Sequence, residues 1–309
     1  MARILIAGAG GLVGRSLARR LVERGHAVAA LTVSARDLPA PIEPIRLSAW
    51  TPEAVSEAAG RAGRCDWAVN LAAYGVDPRE TDPARARLGN VELPAALVVL
   101  AARAGAEFFL QVGSSAEYAE LTETRPMRED DPVETLKTYG ASKAAGTHAV
   151  LDVAGATGIP ALVARLFGVY GPDEGPWRLL PALHKRLSTG ERVPLSPGAQ
   201  VRDFLHVEDA ADGLIALAEA GRGHLSDRVV NLCSGVGASV RHFAELVADA
   251  MDRPRALLDF GAHPMRPGEL PYLVGDTTRR RRAMKWEPAR DLRSGLASAV
   301  ASLSARGAT

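Results

Sequence analysis

Short apolar runs separated by stretches of helical periodicity set the rhythm of the first half of the chain. Arg3–Gly8 is such a run, and Leu12–Arg24 behind it places Leu17, Leu21 and Val22 on one helical face, with Gly25 as the C-terminal cap. Further buried strands are predicted at Ala27–Thr32, near Ile45–Ser48, at Trp67–Ala72 and at Phe108–Val112, with a helix over Pro94–Ala104 between the last two. Ala161–Phe167 and Val229–Cys233 complete the set. Continuous apolar strands alternating with helices predict a parallel sheet covered on both faces, an α/β fold of the Rossmann-type doubly wound kind.

After about Gly171 the rhythm breaks, with Pro172, Pro176, Pro181, Pro194 and Pro197 punctuating polar loops. Residues 172–200 and 236–309 are therefore predicted to form a smaller C-terminal substrate-binding lobe over the carboxyl edge of the sheet, where open α/β sheets bind ligands. Residues 1–171, with 201–235 returning to the sheet, make the dinucleotide-binding part. The 309 residues are 47% hydrophobic and 24% charged, which excludes wholesale disorder. Lys+Arg 37 against Asp+Glu 36 leaves no broad field for nucleic acid or membrane surface, so an anionic ligand must be held locally. Cys65 and Cys233 are too few for a disulfide scaffold, and the seven histidines show no metal-ligand spacing, so no metal is expected. With no signal peptide and no long apolar span, the sequence predicts a soluble cytoplasmic protein. The run Arg279–Arg282 reads as a solvated helix face.

Candidate chemistry begins at Gly8-Ala9-Gly10-Gly11-Leu12-Val13-Gly14, which directly follows the first strand and opens the first helix. In that place Gly8 allows a tight turn, Gly11 lets backbone approach a pyrophosphate, and Gly14 lets helix and strand pack closely. Leu12 and Val13 contribute helix N-terminal N–H groups. The second strand ends Thr32-Val33-Ser34-Ala35-Arg36, with no carboxylate before Asp37 to accept the ribose hydroxyls of NAD. Hydroxyls at Thr32 and Ser34 with the Arg36 guanidinium suit a 2′-phosphate, which favours NADP(H) and leaves NAD(H) possible.

Tyr139 and Lys143 stand four residues apart, on one face of a helix. A cation about 4 Å from a phenol at an effective dielectric near 20 is worth about 4 kcal/mol, roughly 3 pKa units, which brings Tyr139 into range for proton transfer.

These features together resemble the extended short-chain dehydrogenase/reductase family of NAD(P)-dependent nucleotide-sugar epimerases, dehydratases and ketoreductases, over nearly the whole chain. The resemblance also rests on Asn70-Leu71-Ala72-Ala73, Asn90-Val91-Glu92, Gly113-Ser114-Ser115-Ala116-Glu117-Tyr118, Arg165-Leu166-Phe167-Gly168-Val169-Tyr170-Gly171-Pro172, Arg202-Asp203-Phe204 with Asp209, Arg266-Pro267-Gly268-Glu269 and Trp286-Glu287-Pro288. It implies Ser114, Tyr139 and Lys143 as catalytic residues, with Ser114 bonding the reacting sugar oxygen and Lys143 holding the nicotinamide ribose. Leu71, Ala72, Ala73, Asn90 and Phe167 would border the cofactor. Tyr74, Ser115 and Gly168 would border the sugar, and Arg202 and Arg266 its diphosphate. Tyr118 and Trp286 are expected to pack, and His206 to be structural. Dimerisation through Pro94–Ala104 and Ser142–Gly155 is a further implication.

Three departures stand out. Ser115 and Ala116 occupy the positions of the dehydratase acid pair, and Glu117 is out of register with it. Gly168 stands where relatives often carry an asparagine, and Ser48 replaces an acidic residue near the adenine. The readings left open are an NADPH-dependent 4-keto nucleotide-sugar reductase, a 4-epimerase with tightly held NAD, and a non-catalytic dinucleotide-binding protein.

Overall fold

A computed structural model of the chain describes residues 1–34, 38, 41–222 and 227–307. The chain runs β1 (Arg3–Ala7), α1 (Leu12–Glu23), β2 (Ala27–Thr32), β3 (Glu43–Arg46), α2 (Pro52–Glu57), α3 (Ala59–Ala62), β4 (Trp67–Asn70), α4 (Pro83–Arg87), α5 (Leu93–Arg103) and β5 (Phe108–Ser114). It continues with α6 (Thr138–Thr157), β6 (Ala161–Leu166), β7 (Gly168–Tyr170), α7 (Leu179–Ser188), β8 (Val193–Leu195), β9 (Val201–His206), α8 (Val207–Gly221) and β10 (Val229–Leu232). Last come β11 (Gly237–Ser239), α9 (Val240–Ala250), β12 (Leu258–Phe260), β13 (Tyr272–Leu273), α10 (Thr278–Ala283) and α11 (Leu292–Gly307).

Seven strands form one sheet in the order β10-β6-β5-β4-β1-β2-β3, every pairing parallel. The order reverses at β1, so the chain leaves toward both edges from the centre and opens a crevice at the carboxyl ends. Alternation along β1 explains why both faces are covered. Ile4 and Ile6 join Leu17 and Leu21 of α1 and Leu214 and Leu217 of α8, whereas Leu5 and Ala7 join Leu97 and Ala101 of α5 and Val150 of α6. The seven strands predicted from the apolar runs are all present. The third is displaced to Glu43–Arg46, where Pro44 is tolerated because β3 is an edge strand.

Beyond β6 the chain leaves this sheet and returns to it at β10. β7 pairs with β9, which also pairs with β11 and β13, and β8 pairs with β12. A separate apolar core built on Tyr170, Leu180, Leu183, Phe243, Val247 and Leu296 supports these short strands. No helix among the described residues is long and apolar enough to cross a membrane.

The arginine run corrects its sequence reading. Arg280 is fully buried on α10, bonded to the Trp286 carbonyl, paired with Glu287 at 2.8 Å and stacked 5.0 Å from the Trp286 ring centre. Its neighbours pair with Asp130, Asp227 and Glu287, and Arg281 and Arg282 stay exposed, so the solvated face holds for those two and fails at the buried Arg280. A helix of six residues has an inward position every three or four, and a guanidinium there is retained only with partners. Arg280→Ala is expected to lower unfolding free energy by about 2–3 kcal/mol, and Arg281→Ala, on the exposed side, to change it by less than about 0.5 kcal/mol. Urea denaturation of both variants separates the two positions, and equal effects would contradict the buried role.

Candidate active site

The carboxyl ends of β1, β4 and β5 converge on one crevice with the first turns of α6. At β1, Gly8 takes φ +87°, and a Cβ there would stand 2.6 Å from the Ala72 nitrogen and 2.8 Å from the Leu71 carbonyl carbon. A Cβ on Gly14 would stand 2.0 Å from the Gly8 oxygen. Both glycines are therefore demanded by the fold itself. Gly11 is different, because a Cβ there would meet only the Gly8 oxygen at an ordinary 3.5 Å. It caps α1 with no side-chain hydrogen bond, and no acidic residue follows in the first turn, so the first N–H groups of α1 have no side-chain cap. Open space over uncapped N–H groups fits a pyrophosphate, so this loop can hold a dinucleotide.

The segment after β4 lies against that loop. Leu71 donates to the Ala7 carbonyl at 2.8 Å and Ala72 to Asn70 Oδ1 at 2.9 Å, which holds the half-buried Leu71, Ala72 and Ala73 in place. Asn90 clamps the next residue. Its Oδ1 accepts from the Tyr74 N–H at 2.9 Å, and its Nδ2 donates to the Tyr74 carbonyl and to Ser142 Oγ at 2.8 and 2.9 Å. Asn90 lies within a π-helical turn, Leu88–Glu92, and its amide braces this segment, the structural side of its expected role. Ser142 Oγ donates in turn to the Tyr139 carbonyl at 2.9 Å. Gly75, at φ +94°, has the Tyr139 ring so close that a Cβ would stand 2.9 Å from Cδ2. The Tyr74 ring carries the Arg85 guanidinium at 4.9 Å.

Ser114 ends β5 and caps a single turn, accepting from the Ala116 N–H at 3.1 Å, while its own N–H donates to Glu117 Oε1 at 2.8 Å. Its hydroxyl bears on the phenol of Tyr139, whose ordinary pKa burial raises. The hydrogen bond from Ser114 opposes that rise, the Glu117 charge adds to it, and the Arg178 charge opposes it. Lys143 is almost fully buried and donates to the Val112 carbonyl at 2.8 Å. Burial holds its ammonium below the ordinary range, with Glu117 pulling the other way.

The helical placement of Tyr139 and Lys143 matches the sequence reading, but the electrostatic argument needs correcting. Burial raises the phenol overall, the cation that opposes the rise is Arg178, and the Lys143 ammonium donates to the Val112 carbonyl of β5. Arg178 is itself aimed by the buried Glu174 at 3.0 Å and the Val169 carbonyl at 3.0 Å.

Other predicted residues scatter. The Thr32 hydroxyl donates to the Ser34 carbonyl and accepts its N–H, so it closes a local turn, and Arg36 lies outside the described residues. The Phe167 ring, just past the end of β6, is buried with Tyr118, Met127 and Cys233. Gly168 is held by the small sheet, since a Cβ would stand 2.7 Å from the Asp203 carbonyl oxygen, which explains why no asparagine stands there. Ser115 is buried in the turn after Ser114. Arg202 is tied to Glu269 at 2.9 Å, and Arg266 is exposed on the turn that leads to Glu269. Sequence reasoning missed Glu117 and Arg178. The signal for Glu117 was present in Arg165, a guanidinium inside a fully buried strand that demands a carboxylate.

A family model described as the NAD dependent epimerase/dehydratase family matches residues 4–233. A dTDP-glucose 4,6-dehydratase of Streptomyces griseus is 30% identical over 96% of this chain and 93% of its own. A dTDP-6-deoxy-L-talose 4-dehydrogenase (NAD(P)(+)) of Kitasatospora kifunensis is likewise 30% identical over 96% and 93%. The solved structure of MoeE5 in complex with UDP-glucuronic acid and NAD is similar over 99% of this chain and 100% of its own, with 26% identity and a TM-score of 0.83.

Gly11→Ala is expected to fold with the parental melting temperature and lose dinucleotide affinity, whereas Gly14→Ala is expected to cost about 1–3 kcal/mol of stability. Thermal unfolding and calorimetric titration with NADPH check the pair. Parental binding by Gly11→Ala would remove the loop from the site.

Proposed function

The chain belongs to the NAD dependent epimerase/dehydratase family, and from that premise we propose an oxidoreductase of a nucleotide-activated sugar that reduces a 4-keto group. The observation that carries the reading is the convergence of Ser114, Tyr139 and Lys143 beside an uncapped glycine loop. The glycine loop, Leu71–Ala73 and Lys143 would hold a reduced nicotinamide dinucleotide, which would supply the hydride for the sugar C4. Tyr139 donates its phenolic proton to the C4 oxygen as the carbonyl becomes an alcohol, and Ser114 hydrogen-bonds the same oxygen. Burial favours the protonated phenol, the form a proton donor needs. Lys143 and the backbone of Leu71–Ala73 line the cofactor side, and Tyr74 and Arg178 the sugar side. Arg202 and Arg266 stand for the diphosphate, with Arg202 exchanging Glu269 for phosphate oxygens.

Dehydration is not supported even though one relative carries that name. Ser115 and Ala116 bear no carboxylate, and Glu117 is consumed in buried bonds. NADPH is favoured over NADH because no carboxylate stands at Thr32–Ser34 and Arg36 follows in sequence. The same reading includes a homodimer through α5 and α6 and a division into a dinucleotide-binding part and a smaller sugar-binding lobe.

Tyr139→Phe is expected to lower kcat on a dTDP-linked 4-keto-6-deoxyhexose by about 10²–10⁴-fold and to leave NADPH binding intact. Steady-state kinetics with calorimetry check both. A variant as active as a turning-over parent would remove Tyr139 from the chemistry, whereas no turnover by either protein with NADPH still bound would favour a non-catalytic dinucleotide-binding protein.

A further inference from the structure

Glu117 is fully buried, and its carboxylate bonds the strand end of Ser114, the helix of Tyr139 and Lys143, and one buried guanidinium. Oε1 accepts from the Ser114 N–H at 2.8 Å. Oε2 accepts from Thr147 Oγ1 at 2.8 Å, four residues after Lys143 on α6, and from Arg165 Nε at 2.9 Å on the neighbouring strand β6. The backbone beneath is shaped for it, because a Cβ on Gly113 would stand 2.5 Å from Oε1. Arg165 is only 4% exposed, donates also to the Glu129 carbonyl at 3.1 Å and lies 4.6 Å over the Tyr118 ring. A buried ion pair is weak grounds for stability, since a well-packed apolar pair of the same volume is often as good or better. Its value must lie in what it orients.

We infer that Glu117 is a positioning residue of the reaction: held by Arg165, it ties the strand end that presents Ser114 to the helix that carries Tyr139 and Lys143, and fixes one negative charge behind them. The inference rests on the catalytic reading of those three residues. The charges that act on the phenol are Glu117 and Arg178, alongside the Ser114 hydroxyl, and the charge that acts on the Lys143 ammonium is Glu117. Glu117 raises both Tyr139 and Lys143, so removing its charge must lower both.

The test uses the full chain with Glu117→Gln, which keeps the shape and removes the charge, and Thr147→Val, which keeps the charge and removes one bond. The readouts are kcat and KM against pH, and an ultraviolet tyrosinate titration from which the Tyr139→Phe variant is subtracted. Glu117→Gln is expected to lower kcat by about ten- to a hundredfold with KM within about twofold, and to move both the alkaline limb and the Tyr139 titration to lower pH. Thr147→Val is expected to lower kcat severalfold with the limb in place. A folded Glu117→Gln with parental kcat, or with kcat lowered equally at all pH values and the titration unmoved, overturns the inference. If Glu117→Gln does not fold, parental kcat in Thr147→Val overturns it. Failure of the catalytic reading is distinct: the parent then turns over no 4-keto sugar, while the tyrosinate titration still decides what Glu117 does.

Discussion

The backbone after β1 and the backbone after β4 approach so closely that residue 8 has no room for a side chain, and the site is built outward from that contact. Gly8 presses on Leu71–Ala72 at one end of a five-residue segment, and Gly75 receives the Tyr139 ring at the other. Between them Asn90 brackets Tyr74 and reaches Ser142 one turn along α6 from Tyr139. The cradle suited to a pyrophosphate and the phenol suited to proton transfer are thus held in one frame, with two glycines as its joints. Loops tied this tightly give the sub-ångström placement that catalysis by orientation requires.

The charges follow a second logic. Burial alone would leave Tyr139 a poor acid or base and Lys143 neutral more readily than in water. Arg178 opposes the effect of burial at Tyr139 and Glu117 opposes it at Lys143, while Glu117, held by Arg165, adds to the rise at Tyr139. Among them Arg165 neutralises Glu117 without reaching the crevice, so the carboxylate is available as a local influence without an isolated charge in the core.

Much of this architecture is legible in the amino-acid sequence. Apolar runs mark the seven main strands because a parallel strand buried on both faces needs no polar alternation, and the glycine loop and the Tyr139/Lys143 spacing survive in sequence as fixed offsets. What is illegible lies in tertiary choice. The small sheet is made of strands of two to six residues, too short for a period to show. Arg280 reads like its three neighbours because burial of one face of a short helix is decided by what packs on it. The partner of Lys143 cannot be read either: spacing puts the ammonium on the face of Tyr139, but a buried donor takes the acceptor at hand, and that is the Val112 carbonyl. Glu117 is out of register with the dehydratase acid pair and so carries no local signal, while its counterpart Arg165 stands in a buried strand 48 residues away.

The most direct test of the account is the fate of the hydride. The protein would be incubated with 4-deuterated NADPH and dTDP-linked 4-keto-6-deoxyhexose, with UDP- and GDP-linked sugars in parallel, and the products read by mass spectrometry and NMR. One deuterium is expected at C4 of a new alcohol for each NADPH oxidised. Interconversion of two C4 epimers of an ordinary nucleotide sugar with no net change in cofactor would contradict it and make the protein an epimerase.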